Sequence, residues 1–384
     1  MLAVHTPSRL YSEIAASPYP SALLLDLTDA CNLRCRMCLY WGESGLYTSA
    51  EPGRVRARPR SLDLDLALRL IDELRPGRPV YSLFGGEPLL YPQLAEVIAA
   101  IKRAGSVVSL VTNGQELAAL APMLVEQGLD ALRISLDGPR HINDPQRGAG
   151  SFDRAMAGLE AVLHERTRQH KRRPGLGIAY AVTLDNAEHL QGFFHREVDV
   201  SLLEHIGINL YIHMSPRNGE AFQTMLEDEW GLPGHQHWRA LVREPDFLDA
   251  LDVDGLSRQI HSVRALFARS GHGVFETSPR ITSPANLRAH IADERERLSE
   301  RYDFCAAPWT TLQVTARGEV LPCMGATDFA FGDLHAQSFL EIWHGPLYEQ
   351  LRARLFDRGL MPHCGACCML PRLGHWRRPQ RRLS

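Results

Sequence analysis

Two hydrophobic periods alternate along the first half of the chain. Short apolar runs at 22–27, 80–84, 107–112, 131–136, 177–183 and 208–213 are rich in Val, Ile and Leu. Such runs fit strands buried on both faces of a parallel sheet. Between them, 64–74, 93–103, 117–126 and 152–164 repeat apolar residues near a 3.6-residue period, as amphipathic helices do. The alternation predicts βα units and a parallel sheet, closed or partly closed as a barrel. Past Pro216 the pattern changes. Residues 218–270 read mostly as helix, 273–277 as a further strand and 287–301 as a charged helix. A hairpin follows, with strands 311–315 and 319–322 around a turn at 316–318. An amphipathic helix is expected over 338–355, and the basic tail 372–384 reads as frayed.

Polar or glycine-rich segments close several predicted strands: Thr28–Asp29–Ala30–Cys31, Gly85–Gly86–Glu87–Pro88, Thr112–Asn113–Gly114 and Ser135–Leu136–Asp137–Gly138. In βα-barrels the C-terminal strand ends form the active site, so these segments should converge on one mouth.

Composition narrows the class. The 384 residues are 45% hydrophobic and 23% charged, ample for a buried core with an appendage. A formal charge of −3 gives no reason to expect nucleic acid or an anionic membrane as partner. The N-terminus has no charged region followed by a long apolar run, so a cytoplasmic location is expected. Disulfides are then not expected, and the cysteines point to metal or chemistry. Their distribution is uneven. Cys31, Cys35 and Cys38 lie together, residues 39–304 contain none, and Cys305, Cys323, Cys364, Cys367 and Cys368 lie at the other end. That suggests two metal sites.

The first group, Cys31-Asn-Leu-Arg-Cys35-Arg-Met-Cys38, is C-x3-C-x2-C. Three thiolates can hold three irons of a cubane 4Fe–4S cluster and leave the fourth iron open. A structural zinc site needs a fourth ligand, and no Cys or His stands near enough in sequence to be an obvious one. A buried helical face is the plain alternative, but Asp26, Thr28, Asp29, Asn32, Arg34 and Arg36 crowd the segment as in a loop.

CNLRCRMC after one strand and GGEP after the next resemble the radical S-adenosylmethionine (SAM) superfamily over about residues 24–183. The resemblance implies an α/β fold, a partial (β/α)6 barrel of parallel strands over 1–215. It implies a 4Fe–4S cluster on Cys31, Cys35 and Cys38 whose open iron is chelated by SAM. Reductive cleavage then gives a 5′-deoxyadenosyl radical that removes a hydrogen atom from substrate. Met37 stands where the family often has an aromatic residue, and its sulfur can pack against adenine, a role Tyr40 or Trp41 can share. The resemblance places Gly85, Gly86, Glu87 and Pro88 at the methionine amino group. Thr112, Asn113, Ser135 and Asp137 are expected at ribose hydroxyls or the carboxylate, and Arg147 at the carboxylate. Asp137 has an equal alternative as cap of the turn at Gly138.

The stretch CAAPW…TARGEVLPC…GDL…SFLEIW resembles the twitch or SPASM auxiliary-cluster appendage, a small β-hairpin plus helix iron–sulfur domain placed here at 301–384. The resemblance assigns Cys305, Cys323, Cys364 and Cys367 as ligands of one auxiliary 4Fe–4S cluster, with a four-cysteine zinc site as rival. Cys368 is left over, either inert or an alternate ligand. Residues 216–300, with His235, His237 and Trp238, are expected as a mainly helical segment able to contact substrate.

The expected reaction is oxidation of a small sugar- or cyclitol-like substrate, with the auxiliary cluster accepting the second electron. No cysteine follows Cys38 in the barrel, so a thiol-dependent epimerase would have to use Cys368. Peptide maturases often carry an N-terminal recognition domain, and only thirty residues precede Cys31 here. Epimerisation, peptide modification and a non-catalytic zinc or electron-transfer scaffold are the alternatives. A flavodoxin- or ferredoxin-type donor is the expected redox partner.

Overall fold

The computed structural model describes residues 17–42, 45–48, 59–210, 214–234, 237–242, 250–294, 297–298, 304–323, 329–367 and 374–375. Cys368, His235 and the tail (374–375 excepted) lie outside the described residues.

The apolar runs become strands: β1 (Ala22–Thr28), β2 (Val80–Gly85), β3 (Val108–Thr112), β4 (Ala131–Ser135), β5 (Gly175–Ala181) and β6 (His205–Asn209). They pair in parallel and in chain order. Their connections carry α1 (Leu64–Glu73), α2 (Leu94–Arg103), α3 (Leu117–Glu126), α4 (Arg140–Arg147), α5 (Ser151–Arg168) and α6 (Leu190–Arg196). In β1 the alternation is plain. Leu23, Leu25 and Leu27 are fully buried in the apolar core with Leu66 and Leu70 of α1, while Leu24 lines the cavities described below. α1 starts where Asp63 accepts from Leu66 N at 3.0 Å, satisfying one orphan donor of the first turn.

The sheet continues past these six strands, and the further strand expected at 273–277 forms. α7 (Pro216–Trp230) and α8 (Val253–Ala268) lead to β7 (Val274–Ser278), which pairs in parallel with β6. The 216–300 segment therefore adds a strand as well as helices. After α9 (Pro284–Ile291), β8 (Phe304–Cys305) and the short α10 (Ala307–Thr310), the hairpin β9 (Thr311–Val314) and β10 (Glu319–Leu321) forms. Strand β9 lies parallel to β1, with Gln313 opposite Leu24. With β11 (Gly332–Asp333), the result is one ten-stranded sheet in the order β11-β10-β9-β1-β2-β3-β4-β5-β6-β7. The C-terminal hairpin thus extends the barrel wall. α11 (Phe339–Trp343), α12 (Pro346–Arg358) and β12 (Gly374–His375), which pairs with β8, complete it.

Four local expectations are corrected. Strand β6 starts three residues before the expected 208, because polar His205 takes a register position opposite Gly177, and 211–213 of that expectation lie outside the described residues. The segment HINDPQRGAGSFD after β4, a loop by the family resemblance, is instead helical over Arg140–Arg147, and Asp144 accepts from Gly150 N and Phe152 N at the start of α5. The charged helix ends at Ile291, because Asp293 turns to φ 54° and accepts from Ser215 and Asn218 at the start of α7. The helix expected at 338–355 is two helices. Gly345 and Pro346 break it, Pro346 being suited to a first helical turn. No helix among the described residues is long and apolar enough to cross a membrane.

Candidate active site and its two cysteine groups

The loop after β1 is pinned at several points. Gly86 N donates to Thr28 O at 2.7 Å and Glu87 N to Ala30 O at 2.8 Å. Arg36 N donates to Gln146 O at 2.9 Å, and Trp41 Nε1 to Asp29 O at 2.7 Å. A Cβ on Gly86 would lie 2.2 Å from Ala30 O, so the second strand end needs glycine to approach the cysteine loop's backbone. The segment itself is loop and turn, not helix.

Cys31, Cys35 and Cys38 face one cavity of about 320 Å³. Burial pushes the Cys31 thiol up and the Cys35 thiol to about 11, and the charge of Cys38 adds to both shifts. The three thiols are therefore electrostatic neighbours. Asn113 Nδ2 stands 3.8 Å from Cys31 Sγ, Arg147 Nη1 4.0 Å from Cys35 Sγ, and Trp41 N donates to Cys38 Sγ at 3.4 Å. Donors of this kind stabilise thiolate and cluster sulfur.

Every residue expected at the cofactor lines this cavity except Trp41 and Asp137. Met37, Tyr40, Pro88 and Gly85 give it apolar or backbone surface. Glu87 is buried and accepts from Thr112 Oγ1 at 2.7 Å, Asn113 N at 2.7 Å and Leu89 N at 3.1 Å. Burial outweighs these bonds and lifts its carboxyl to about 7. Glu87 therefore also locks the second strand end to the third. Ser135 lies on the wall, whereas Asp137 is buried behind it. Asp137 accepts from Arg147 Nε at 2.6 Å and from Ala181 N at 2.8 Å, so it orients the arginine.

A second cavity, of about 430 Å³, adjoins the first and shares Leu24, Phe84, Val111, Ser135, Arg147 and Cys367 with it. Besides the shared Cys367, its wall carries Cys305, Cys323 and Cys364. Burial pushes the Cys305 thiol well up, followed by the charges of Cys364, Cys367 and Cys323, so all four thiols are neighbours. Cys323 Sγ lies 3.8 Å from His363 Nε2. Four adjacent thiols at a cavity wall are the donor set that an iron–sulfur cluster requires.

Residues 25–171 match the model of the radical SAM superfamily, and residues 305–368 match an iron–sulfur cluster-binding domain, SPASM. The chain belongs to the radical SAM superfamily. As a radical SAM enzyme it uses a 4Fe–4S cluster and SAM, and its SPASM domain an auxiliary iron–sulfur cluster. It is 26% identical to the pre-heme d1 synthase of Dinoroseobacter shibae over 94% of this chain and 81% of that protein. It is 35% identical to the AdoMet-dependent heme synthase of Methanosarcina barkeri, over 39% of this chain and 41% of that protein. Streptococcus suis SuiB shares the fold, with a TM-score of 0.60 at 14% identity over 94% of this chain and 74% of that chain.

Several residues of the two cavities carry no motif. Gln313 of β9 donates to Asp26 Oδ2 at 2.6 Å, tying the C-terminal hairpin to β1. His205 Nε2 and Glu276 Oε1 are 2.9 Å apart on the second cavity's wall, where Arg133 also stands. The available signal was a single polar residue inside an apolar strand, as in ALLLDLT, ALRIS and TLQV. His237 and Trp238, from the helical segment read as able to contact substrate, line the first cavity.

Proposed function

We propose that this radical SAM enzyme is an oxidoreductase acting on a small organic substrate held in the second cavity. Cys31, Cys35 and Cys38 would hold the first cluster, and Cys305, Cys323, Cys364 and Cys367 the auxiliary one. When bound, the first cluster with SAM supplies hydrogen-atom abstraction, and the auxiliary cluster an acceptor for the electron that remains.

The chain's own residues do the positioning. Glu87 fixes Thr112 and Asn113 as polar wall beside the Cys31 loop. Asp137 aims Arg147 into both cavities. Buried Trp238 and Leu241 cover the first cavity and exclude water. His205 and Glu276 provide a proton-accepting pair on the second cavity's wall. Ser82, Asn209 and Ser278 offer the hydrogen bonds that a sugar or cyclitol ring would use. A flavodoxin- or ferredoxin-type protein would deliver the first electron.

The observation that carries this reading is the shared wall: the second cavity adjoins the first cysteine site's volume and is lined by four further cysteines, of which Cys367 stands on the boundary between the two. Anaerobically reconstituted enzyme with dithionite and SAM should form 5′-deoxyadenosine, and candidate substrates should lose two electrons without taking up solvent deuterium. Solvent deuterium at the reacting carbon, with no two-electron loss, would replace oxidation by epimerisation. The identity to pre-heme d1 synthase over 94% of the chain favours a second reading, a heme-type product. A deoxyadenosine yield that rises with porphyrins and not with sugars or cyclitols would select it.

A further inference from the structure

The second cavity contains a charge that the proposed chemistry leaves unused. Arg133 is the central residue of β4, opposite Val111 of β3 and Gly177 of β5, and its side chain lines the cavity. Among the described residues no carboxylate pairs with it and no acceptor bonds to it. Burial alone acts on its guanidinium, pulling its pKa down, with no negative group to offset that. The other charged groups on this wall are engaged. Arg147 is held by Asp137, and Glu276 by His205.

A guanidinium half out of water without a counter-ion costs stability. Folds keep such groups where a ligand supplies the missing charge, because the planar fork binds carboxylate and phosphate in a bidentate manner. The surroundings define the rest of the ligand. Phe84, Val111, Leu351, Leu355 and Met361 form apolar wall around the same volume. Ser135, two residues along on the same face of β4, stands where the two cavities meet. Two residues of strand span about 7 Å.

We infer that Arg133 binds an oxyanion of the substrate, a carboxylate or phosphate on a partly apolar body, with the anion deep in the barrel and the reacting carbon about 7 Å away toward the SAM site. This rests on the second cavity being the substrate volume.

The test uses the full chain, loaded with both clusters and SAM, and three probes: hexanoate, hexyl phosphate and neutral hexanamide. Binding is read by titration calorimetry. Hexanoate or hexyl phosphate should bind at least about tenfold more tightly than hexanamide, the better anion identifying the group. Arg133→Met should abolish that preference, and Arg133→Lys should retain part of it. Without ligand, Arg133→Met should keep or raise Tm, since a buried unpaired charge is removed. Equal binding of hexanamide and both anions to the wild type, or unchanged anion binding by Arg133→Met, overturns the assignment. A lower Tm for Arg133→Met with anion binding intact makes Arg133 structural and also overturns it. Deoxyadenosine formation without anion binding sinks the anion site alone. Anion binding without deoxyadenosine formation supports the site and sinks the radical reading.

Discussion

Arg147 Nε lies 2.6 Å from Asp137 Oδ2, with the two side chains 11% and 0% exposed. The pair joins the end of α4 to the end of β4, and Ala181 N of β5 donates to the other carboxylate oxygen at 2.8 Å. Burial pulls the arginine's pKa down, but Asp137 and the cysteine charges outweigh it and hold the guanidinium firmly protonated. Removing one partner leaves the other buried and alone. Arg147→Met and Asp137→Asn should each cost about 3–5 kcal/mol. The double substitution Arg147→Met with Asp137→Asn should cost much less than the sum. Urea titration under anaerobic conditions reads all three variants, and simple additivity would show that the ion pair is not the shared element.

Gly86→Ala should damage the first cluster specifically. The added methyl would meet Ala30 O at 2.2 Å, and that carbonyl belongs to the backbone just before Cys31. The loop must shift, and with it the spacing of three thiols. Iron content should fall from about eight toward about four per chain, the remainder at the C-terminal cysteines. Full iron with normal deoxyadenosine formation would mean that the strand end yields instead of the loop.

Cysteine substitutions should separate the two halves of the proposed reaction. Cys35→Ala should lose the first cluster and reduce deoxyadenosine formation to background. Cys364→Ala should lose about half the iron, keep deoxyadenosine formation, and reduce oxidised product at least about a hundredfold if the auxiliary cluster takes the electron. Undiminished product from Cys364→Ala would remove the auxiliary site from the reaction.

The parts legible in the sequence are those whose chemistry is local. Cys31, Cys35 and Cys38 share one loop, Gly85–Pro88 is one strand end, and the barrel strands are continuous apolar runs. What was hidden arises across strands. Gln313 and Asp26 are almost three hundred residues apart and meet because β9 adds to β1 in parallel. Arg133 looked like one polar residue in a strand until the register turned it toward the second cavity. His205 hid the start of β6 because a polar residue inside a barrel breaks the apolar pattern that marks a buried strand. Asp137 was weighed as cofactor contact or turn cap, and its contact with Arg147 depends on a helix that the Asn-Asp-Pro sequence disguised.

Asp26 should give the protein a pH-dependent stability of unusual sign for a carboxylate. It is buried, its Oδ2 accepts from Gln313, and its Oδ1 has no hydrogen-bond partner among the described residues. Burial lifts its carboxyl to about 7, against the Gln313 bond and with a further push from Asp29. The folded state therefore binds this proton more tightly than the unfolded chain, where a carboxyl titrates near 4. Its stabilising contribution is complete below about pH 4 and is lost as pH rises toward 7, by at most about 4 kcal/mol. Glu87, also lifted to about 7, adds a slope of the same sign. Asp26→Asn keeps the acceptor for Gln313 and cannot ionise, so it should remove about half of the loss between pH 5.5 and 8. Urea unfolding at several pH values measures the slope in wild type and variant. If the two slopes coincide, Asp26 ionises like an exposed acid, and its contact with Gln313 is an ordinary surface bond instead of a buried link between barrel and hairpin.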